Sequence, residues 1–186
     1  MTLFEYLAVA FGLVFTLAAM RLVGGLPHAL RSDRRYWVHL CVTLLMLLGS
    51  AAVFWTFWSL KDVAWTFPRF LVALAIPATL FYCCAALVPE NPEEVSSWRQ
   101  HYWDVRVRFW GGTLAWITSA ALSATVNLGM GLTHPARAFQ LFVAATALVG
   151  ILSDKERVHA GLIVGLAIVG MGLAFSVGAA PAWLSG

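Results

Sequence analysis

Charged side chains are scarce in this sequence. They make up 11% of its 186 residues, whereas hydrophobic residues make up 61%. In a soluble globular domain about a quarter of the residues are Asp, Glu, Lys or Arg. The composition therefore excludes an ordinary soluble domain and predicts an integral membrane protein, organised as a single membrane domain over residues 1–186.

No part of the chain forms a basic domain. The formal net charge is +3, but the basic residues are spread over short segments between apolar runs. Binding to nucleic acid requires a concentrated positive patch, so we expect no nucleic-acid partner. Membrane lipid, and anionic lipid in particular, is the expected partner of these dispersed cations.

Metal and cofactor motifs are also missing. The chain has 3 cysteines, and all of them lie within apolar runs without the C-x-x-C spacing of a redox or metal site. We interpret Cys41, Cys83 and Cys84 as small packing residues. His39 and His159 each begin an apolar run, but their spacing pairs them with no second ligand. The sequence therefore predicts no metal site, no haem and no other cofactor.

The middle of each apolar run lacks carboxylates and amines. Ionisable side chains inside a membrane are costly and usually mark proton or ion pathways. Their absence excludes a sodium or proton relay built on Asp or Glu, and it excludes retinal proteins, which need a mid-helix lysine for the Schiff base. We expect a protein without catalytic activity.

What the chain does have is a series of long apolar runs. A helix needs about 20 apolar residues to cross a hydrocarbon core of roughly 30 Å, and the fifth run is somewhat short for this. We predict an all-α integral membrane protein with six transmembrane helices and one amphipathic interfacial helix. The predicted spans are residues 3–20, 37–60, 70–88, 110–132, 136–152 and 158–180.

The interfacial helix is predicted over residues 92–109, the one long segment that is helical in pattern and rich in charge. Trp and Tyr favour the headgroup region of a bilayer, and arginines reach lipid phosphates. The fourth span is predicted as a bent continuation of this helix, with Gly111 and Gly112 as the joint. The predicted membrane anchors are Trp98, Arg99, His101, Tyr102, Arg106 and Arg108.

The distribution of Lys and Arg predicts an orientation. Of the 12 basic residues, nine fall in or beside the first, third and fifth turns, and three fall in the others. Cytoplasmic loops carry the excess of positive charge in membrane proteins. We therefore expect these three turns to be cytoplasmic and both termini to lie outside.

A polar stripe runs along the fourth predicted span. Ser119, Ser123 and Asn127 follow one another at intervals of four residues, and Gln140 of the fifth span is a candidate further member. Such a stripe either forms hydrogen bonds between packed helices or lines a path for a small solute.

Small residues mark one face of the sixth span. Gly161 and Gly165 have the spacing that allows helix backbones to approach closely, and Gly172 extends the face. This face predicts packing, either within the chain or between copies.

Two resemblances bear on identity. His159 to Ala167 looks like the last-helix histidine motif of rhomboid intramembrane proteases, but the Gly-x-Ser-Gly nucleophile motif of that family is absent. The Trp98–Arg99 and His101–Tyr102 pairs, with Arg106 to Phe109, are similar to a pattern in small uncharacterised bacterial multi-helix membrane proteins. This second resemblance implies a bacterial inner membrane and brings no activity with it.

These observations favour a non-catalytic role. The leading hypothesis is an accessory or scaffold subunit of a membrane assembly, or a homo-oligomer, because packing faces are present and buried charge is not. It implies a protein partner or self-association. The alternative is a small-solute channel or carrier that uses the polar stripe of the fourth span.

Overall fold

The computed structural model describes residues 3–31 and 33–178, and these form an all-helical bundle. Two short 3-10 helices, Phe57–Leu60 and Pro92–Glu94, lie in the connections on either side of the third α-helix. The six α-helices are α1 (Leu3–Ala29), α2 (Trp37–Thr56), α3 (Phe67–Leu87), α4 (Trp98–Leu128), α5 (Ala136–Leu152) and α6 (Glu156–Gly178).

Three segments of the described chain are long and apolar enough to cross a membrane. They are Phe4–Ala29, Trp37–Leu60 and Phe67–Glu94, each with a mean hydropathy of at least 2.0 over its best window. A shorter apolar helix covers Ala136–Leu152. The protein is therefore built for integration into a membrane, as the composition predicts.

The helix bounds agree with the sequence prediction at α5 and differ at α1. The helix α1 continues past the predicted end at residue 20 and runs through Pro27 to Ala29. Gly25 favours a turn in the sequence, yet it lies inside this helix. A Cβ atom at this position would collide with the side chain of Val88, so the glycine allows close packing of α1. Residues 179–180 of the predicted sixth span lie outside the described residues.

The predicted interfacial helix is not a separate element. The chain forms one continuous helix from Trp98 to Leu128, which begins where the Ser97 side chain accepts a hydrogen bond from the Gln100 amide. It ends at Gly129, which adopts the left-handed conformation with φ of 65°. Gly111 and Gly112 lie inside this helix, which is unbroken at both positions. A Cβ atom at Gly112 would lie 2.8 Å from the Tyr82 ring, so this glycine lets α3 approach α4.

Successive helices alternate in direction, so the first, third and fifth connections meet at one end of the bundle. The indole nitrogen of Trp98 donates to the His28 carbonyl over 3.0 Å, which joins the start of α4 to the end of α1. Arg34 donates to the carbonyl oxygens of Glu93 and Val95. We call residues 30–31, 33–36, 88–97 and 153–155 together the charged end.

The helices α4 and α5 are held together at a third close glycine contact. A Cβ atom built on Gly150 would lie 2.5 Å from the ring of Trp110, which is fully buried. The indole therefore occupies the space that any larger residue at position 150 would need.

We expect Gly150→Ala to lower the free energy of unfolding by about 1–3 kcal/mol, because overpacking a rigid contact forces side chains and backbone to shift. Thermal unfolding of the purified protein in detergent measures the effect. Gly12→Ala is the control, since no heavy atom of the described residues, apart from the backbone of its own helix, lies within 4 Å of a Cβ at that position. Equal unfolding temperatures for the two variants would contradict the packing at Gly150.

Candidate functional site

Aromatic and histidine side chains gather around the first turns of α4, next to the charged end. We call them the histidine–aromatic cluster. Because α4 runs without interruption from Trp98, side chains three, four and seven residues apart face the same neighbours, α1, α2 and α6. The members are Tyr36, His39, Trp98, His101, Tyr102, Trp103, Trp110 and His159.

His159 has a complete set of hydrogen bonds. Its Nε2 lies 2.9 Å from the Ser153 carbonyl, which can only accept, so Nε2 carries the proton. Its Nδ1 is then an acceptor, and the Tyr102 hydroxyl donates to it over 2.7 Å. The indole N–H of Trp110 donates to the same atom over 3.3 Å. His159 is fully buried, and this neutral imidazole joins α6 to α4.

Trp98 is the residue of the cluster that contacts both His39 and His101. It is fully buried, and its ring stacks on that of His39 with centroids 4.5 Å apart and planes tilted by 24°. His101 meets the Trp98 ring edge-on at 5.6 Å. The Nε2 of His101 donates to the Leu87 carbonyl over 3.0 Å. Leu87 is the last residue of α3, so this bond satisfies one of the carbonyl groups that a helix end leaves without an intrahelical partner.

His39 differs from the other two histidines. It is fully buried, yet neither of its ring nitrogens has a hydrogen-bond partner within the described residues. Burying an imidazole in this way costs free energy that the Trp98 stack offsets only in part. The described residues contain no group of three His, Cys, Asp or Glu that could hold a metal ion. His39 therefore contributes to this cluster by packing against Trp98.

Two ion pairs lie on the outer side of the cluster. The guanidinium of Arg99 donates to the Glu156 carboxylate over 2.8 Å, and Arg106 pairs with Asp154. Arg106 also lies over the Trp103 ring, 5.5 Å from its centroid. Both pairs connect the start of α4 to the connection between α5 and α6 or to the first residue of α6.

These ion pairs change the acidity of nearby groups. The hydrogen bond from Arg99 holds the pKa of the Glu156 carboxyl below its usual value. Burial, together with the neighbouring Glu156 carboxylate, raises the pKa of Tyr36 to about 12. Burial also lowers the pKa of the His101 imidazole, which keeps this ring neutral near pH 7.

The predicted membrane anchors are therefore divided between the interior and the surface. Trp98 and Tyr102 are 0% exposed and are packed inside the protein, so they do not lie among lipid headgroups as predicted. Arg99 and Arg106 are paired with carboxylates, and Arg108 is exposed. The prediction failed for the aromatic residues because an apolar helix face suits a protein interior as well as a lipid surface.

The structure brings together three of the four predicted polar-stripe residues. The Ser119 hydroxyl lies 3.1 Å from that of Thr79 on α3, and Asn127 donates to the Ser123 hydroxyl over 2.9 Å. Asn127 also donates to the Arg69 carbonyl over 3.4 Å. The stripe thus lies between α3 and α4.

Gln140 does not join this stripe. Its side chain accepts a hydrogen bond from Arg137, which in turn donates to the Ala121 carbonyl and the Thr125 hydroxyl. At 3.6 residues per turn, Ala121 and Thr125 face away from Ser123 by roughly 160–200°. Gln140 therefore approaches α4 from its other side.

The predicted glycine face on α6 is mostly uncovered. No heavy atom of the described chain lies within 4 Å of a Cβ built on Gly161 or Gly172. At Gly165 the nearest atom belongs to Phe142, at an ordinary contact distance of 3.7 Å.

Sequence reasoning considered His39 and His159 separately and missed that both contact α4. The signal that could have found the cluster is positional. Histidine and aromatic residues begin three different helices, and the three turns before those helices fall at the same end of an antiparallel bundle.

Comparison of the chain with protein-family models, with curated proteins and with solved structures gave no match. The cluster is therefore interpreted from its own geometry. The polar atoms of Trp98, Tyr102, Trp110 and His159 are bonded to one another or to backbone carbonyls. This arrangement can hold α1, α4 and α6 together.

The two buried histidines should respond differently to replacement by Phe. His159→Phe leaves the Tyr102 hydroxyl and the Trp110 indole unpaired, so we expect a loss of about 1–3 kcal/mol in the free energy of unfolding. His39→Phe keeps the stack on Trp98 and removes two unpaired nitrogens, so we expect unchanged or increased stability. Denaturant unfolding in detergent measures both. A larger loss for His39→Phe than for His159→Phe would contradict the assigned hydrogen bonds.

The Arg99–Glu156 pair predicts a dependence of stability on pH. Because the folded-state pKa of Glu156 is lower than its unfolded value, the pair stabilises the fold above about pH 4.3. This stabilisation is lost as the pH falls through the folded-state pKa. We expect Glu156→Gln to reduce the drop in unfolding temperature between about pH 7 and about pH 3.

Glu93→Gln is the control for this pH experiment, because Glu93 is exposed and its side chain has no ion pair in the described part of the chain. Its unfolding temperature should follow that of the wild type at every pH. The same pH response in all three proteins would show that the Arg99 pair contributes nothing.

Proposed function

We propose that the protein is a non-catalytic accessory or scaffold subunit of the bacterial inner membrane, which associates with a partner protein or with a second copy of itself. The single observation that carries this proposal is the uncovered glycine face of α6. The proposal includes six membrane spans with both termini outside, and membrane lipid as the surrounding partner.

The glycines of α6 contrast with those inside the bundle. A Cβ atom at Gly112 or Gly150 would lie within 3 Å of an aromatic ring, so these glycines are used for packing within the chain. Gly161 and Gly172 have no such neighbour among the described residues. With Gly165 they fall within about 40° of one another on a helix of 3.6 residues per turn. A helix from another chain can approach closely along this line.

The six-span topology is supported by the connections that form the charged end. Three connections meet there, joined by contacts such as Arg34 to the Glu93 carbonyl. Lys and Arg lie in these connections or at the start of the helices that follow them, at positions 31, 34, 35, 99, 155 and 157, whereas those at 61, 69 and 137 lie at the opposite end. Turns that lie at one end of a membrane bundle share one side of the bilayer. The excess of positive charge then favours the cytoplasmic side for this end and the opposite side for both termini.

The alternative role as a small-solute channel or carrier would use Ser119, Ser123 and Asn127. The hydrogen bonds of these side chains to one another and to α3 favour a packing role. A lining group needs free polar atoms that face the path of a solute, and these bonds occupy most of them.

We expect the double replacement of Gly161 and Gly172 by Leu to weaken association, because two bulky side chains prevent close approach of a second helix. Energy transfer between labelled copies in proteoliposomes measures self-association. Crosslinking in native membranes followed by mass spectrometry measures a partner.

Gly12→Leu is the matched control for the α6 variant, since a Cβ on Gly12 of α1 also has no neighbour within 4 Å. It should associate like the wild type. A wild-type protein that stays monomeric in proteoliposomes and crosslinks to no partner would overturn the proposal. Equal association of the double variant and the wild type would remove α6 as the contact face.

A further inference from the structure

A groove opens on the outside of the bundle between the last turns of α1 and the end of α3. It encloses about 370 Å³ and continues onto the segment that follows α3. Its lining includes apolar side chains together with one cation, Arg21, and one anion, Glu90. The residues used below are Leu17, Met20, Arg21, Gly24, Phe81 and Glu90.

The two charges of the groove are unpaired. Arg21 is half-buried and Glu90 is exposed, and neither has a hydrogen bond or ion pair within the part of the chain that the structure describes. They do not pair with each other, although they line the same groove. Arg34 and Arg99, at the same end of the bundle, are both engaged by carbonyl or carboxylate oxygens.

A residue count along α1 places the groove at the depth of lipid headgroups. The span Phe4–Ala29 has 26 residues, and at 1.5 Å per residue it is longer than a hydrocarbon core of roughly 30 Å. About 20 residues cross that core, so a count from Phe4 places the boundary near Val23. Arg21 is within one turn of this boundary, and a long cationic side chain there reaches toward the headgroups.

We propose that this groove binds a zwitterionic phospholipid whose headgroup ends in a primary ammonium, such as phosphatidylethanolamine. The Arg21 guanidinium binds the phosphodiester, and the Glu90 carboxylate accepts hydrogen bonds from the ammonium. The glycerol and the first acyl carbons pack on Leu17, Met20 and Phe81.

Charge complementarity selects this occupant over other lipids. Phosphatidylglycerol offers the phosphate without a cation for Glu90. Phosphatidylcholine offers a cation without N–H groups, so its trimethylammonium cannot donate a hydrogen bond to the carboxylate. Of these three lipids, the one with the ammonium headgroup satisfies both charges of the groove.

Native mass spectrometry of the full-length protein, delipidated in detergent, tests the proposal. The protein is titrated with phosphatidylethanolamine, phosphatidylglycerol and phosphatidylcholine that carry identical acyl chains. We expect the ethanolamine lipid to bind about tenfold more tightly than either of the others, the effect of one charge-assisted hydrogen bond.

Charge-removing variants separate the two contacts. Arg21→Gln should weaken binding of all three lipids about tenfold, because the phosphodiester is common to them. Glu90→Gln should abolish the preference for the ethanolamine lipid. Arg35→Gln and Glu93→Gln are the matched controls, since these exposed residues make the same charge changes at the same end outside the groove. Both controls should bind like the wild type.

A third variant tests the groove without changing its charges. Gly24 lines the groove and has open space around its Cβ position, so Gly24→Trp should fill the groove and reduce binding of every lipid. Gly12→Trp controls for the added indole, and thermal unfolding confirms that both variants are folded. Equal binding of the three lipids by the wild type, or a preference that survives both Glu90→Gln and Gly24→Trp, would overturn the proposal.

Discussion

The indole N–H of Trp98 and the hydroxyl of Tyr102 are buried at the start of α4, and the bundle gives each of them a hydrogen-bond partner. Trp98 and Tyr102 are withdrawn from both lipid and water, so an unpaired N–H or O–H would cost several kcal/mol in such surroundings. The His28 carbonyl satisfies the first, and His159 satisfies the second. This requirement fixes where α1 ends and where α6 begins relative to α4.

The charged end and the glycine contacts follow from that arrangement. Once α6 is held to α4 through His159, the Arg99–Glu156 pair forms on the exposed side of the same two helices. Gly150 brings α5 against Trp110, whose indole also donates to His159. The same residues thus serve packing and hydrogen bonding together. The face of α6 that carries Gly161 points away from these contacts and is available to a second chain.

Much of the fold follows from hydropathy, and the site does not. The bounds of α5 are predicted by its apolar run alone, and composition indicates a helical membrane protein. The end of α1 does not follow from the sequence, because Gly25 indicates a turn locally but packs against Val88. The sequence does predict that the fourth span continues the interfacial helix, but not that Gly112 packs against Tyr82. The cluster joins residues far apart in sequence, and periodicity within one helix carries no information about its neighbours.

The central claim is that the apolar face at the start of α4 lies inside the protein and not in the lipid surface. A spin label at position 105 tests it directly in reconstituted membranes, with the cysteines at 41, 83 and 84 replaced. Val105 is 4% exposed and Val107 is 50% exposed. The structure predicts that a label at 105 is poorly accessible both to lipid-soluble oxygen and to a water-soluble nickel complex, while one at 107 is accessible. High oxygen accessibility at position 105 would contradict the account.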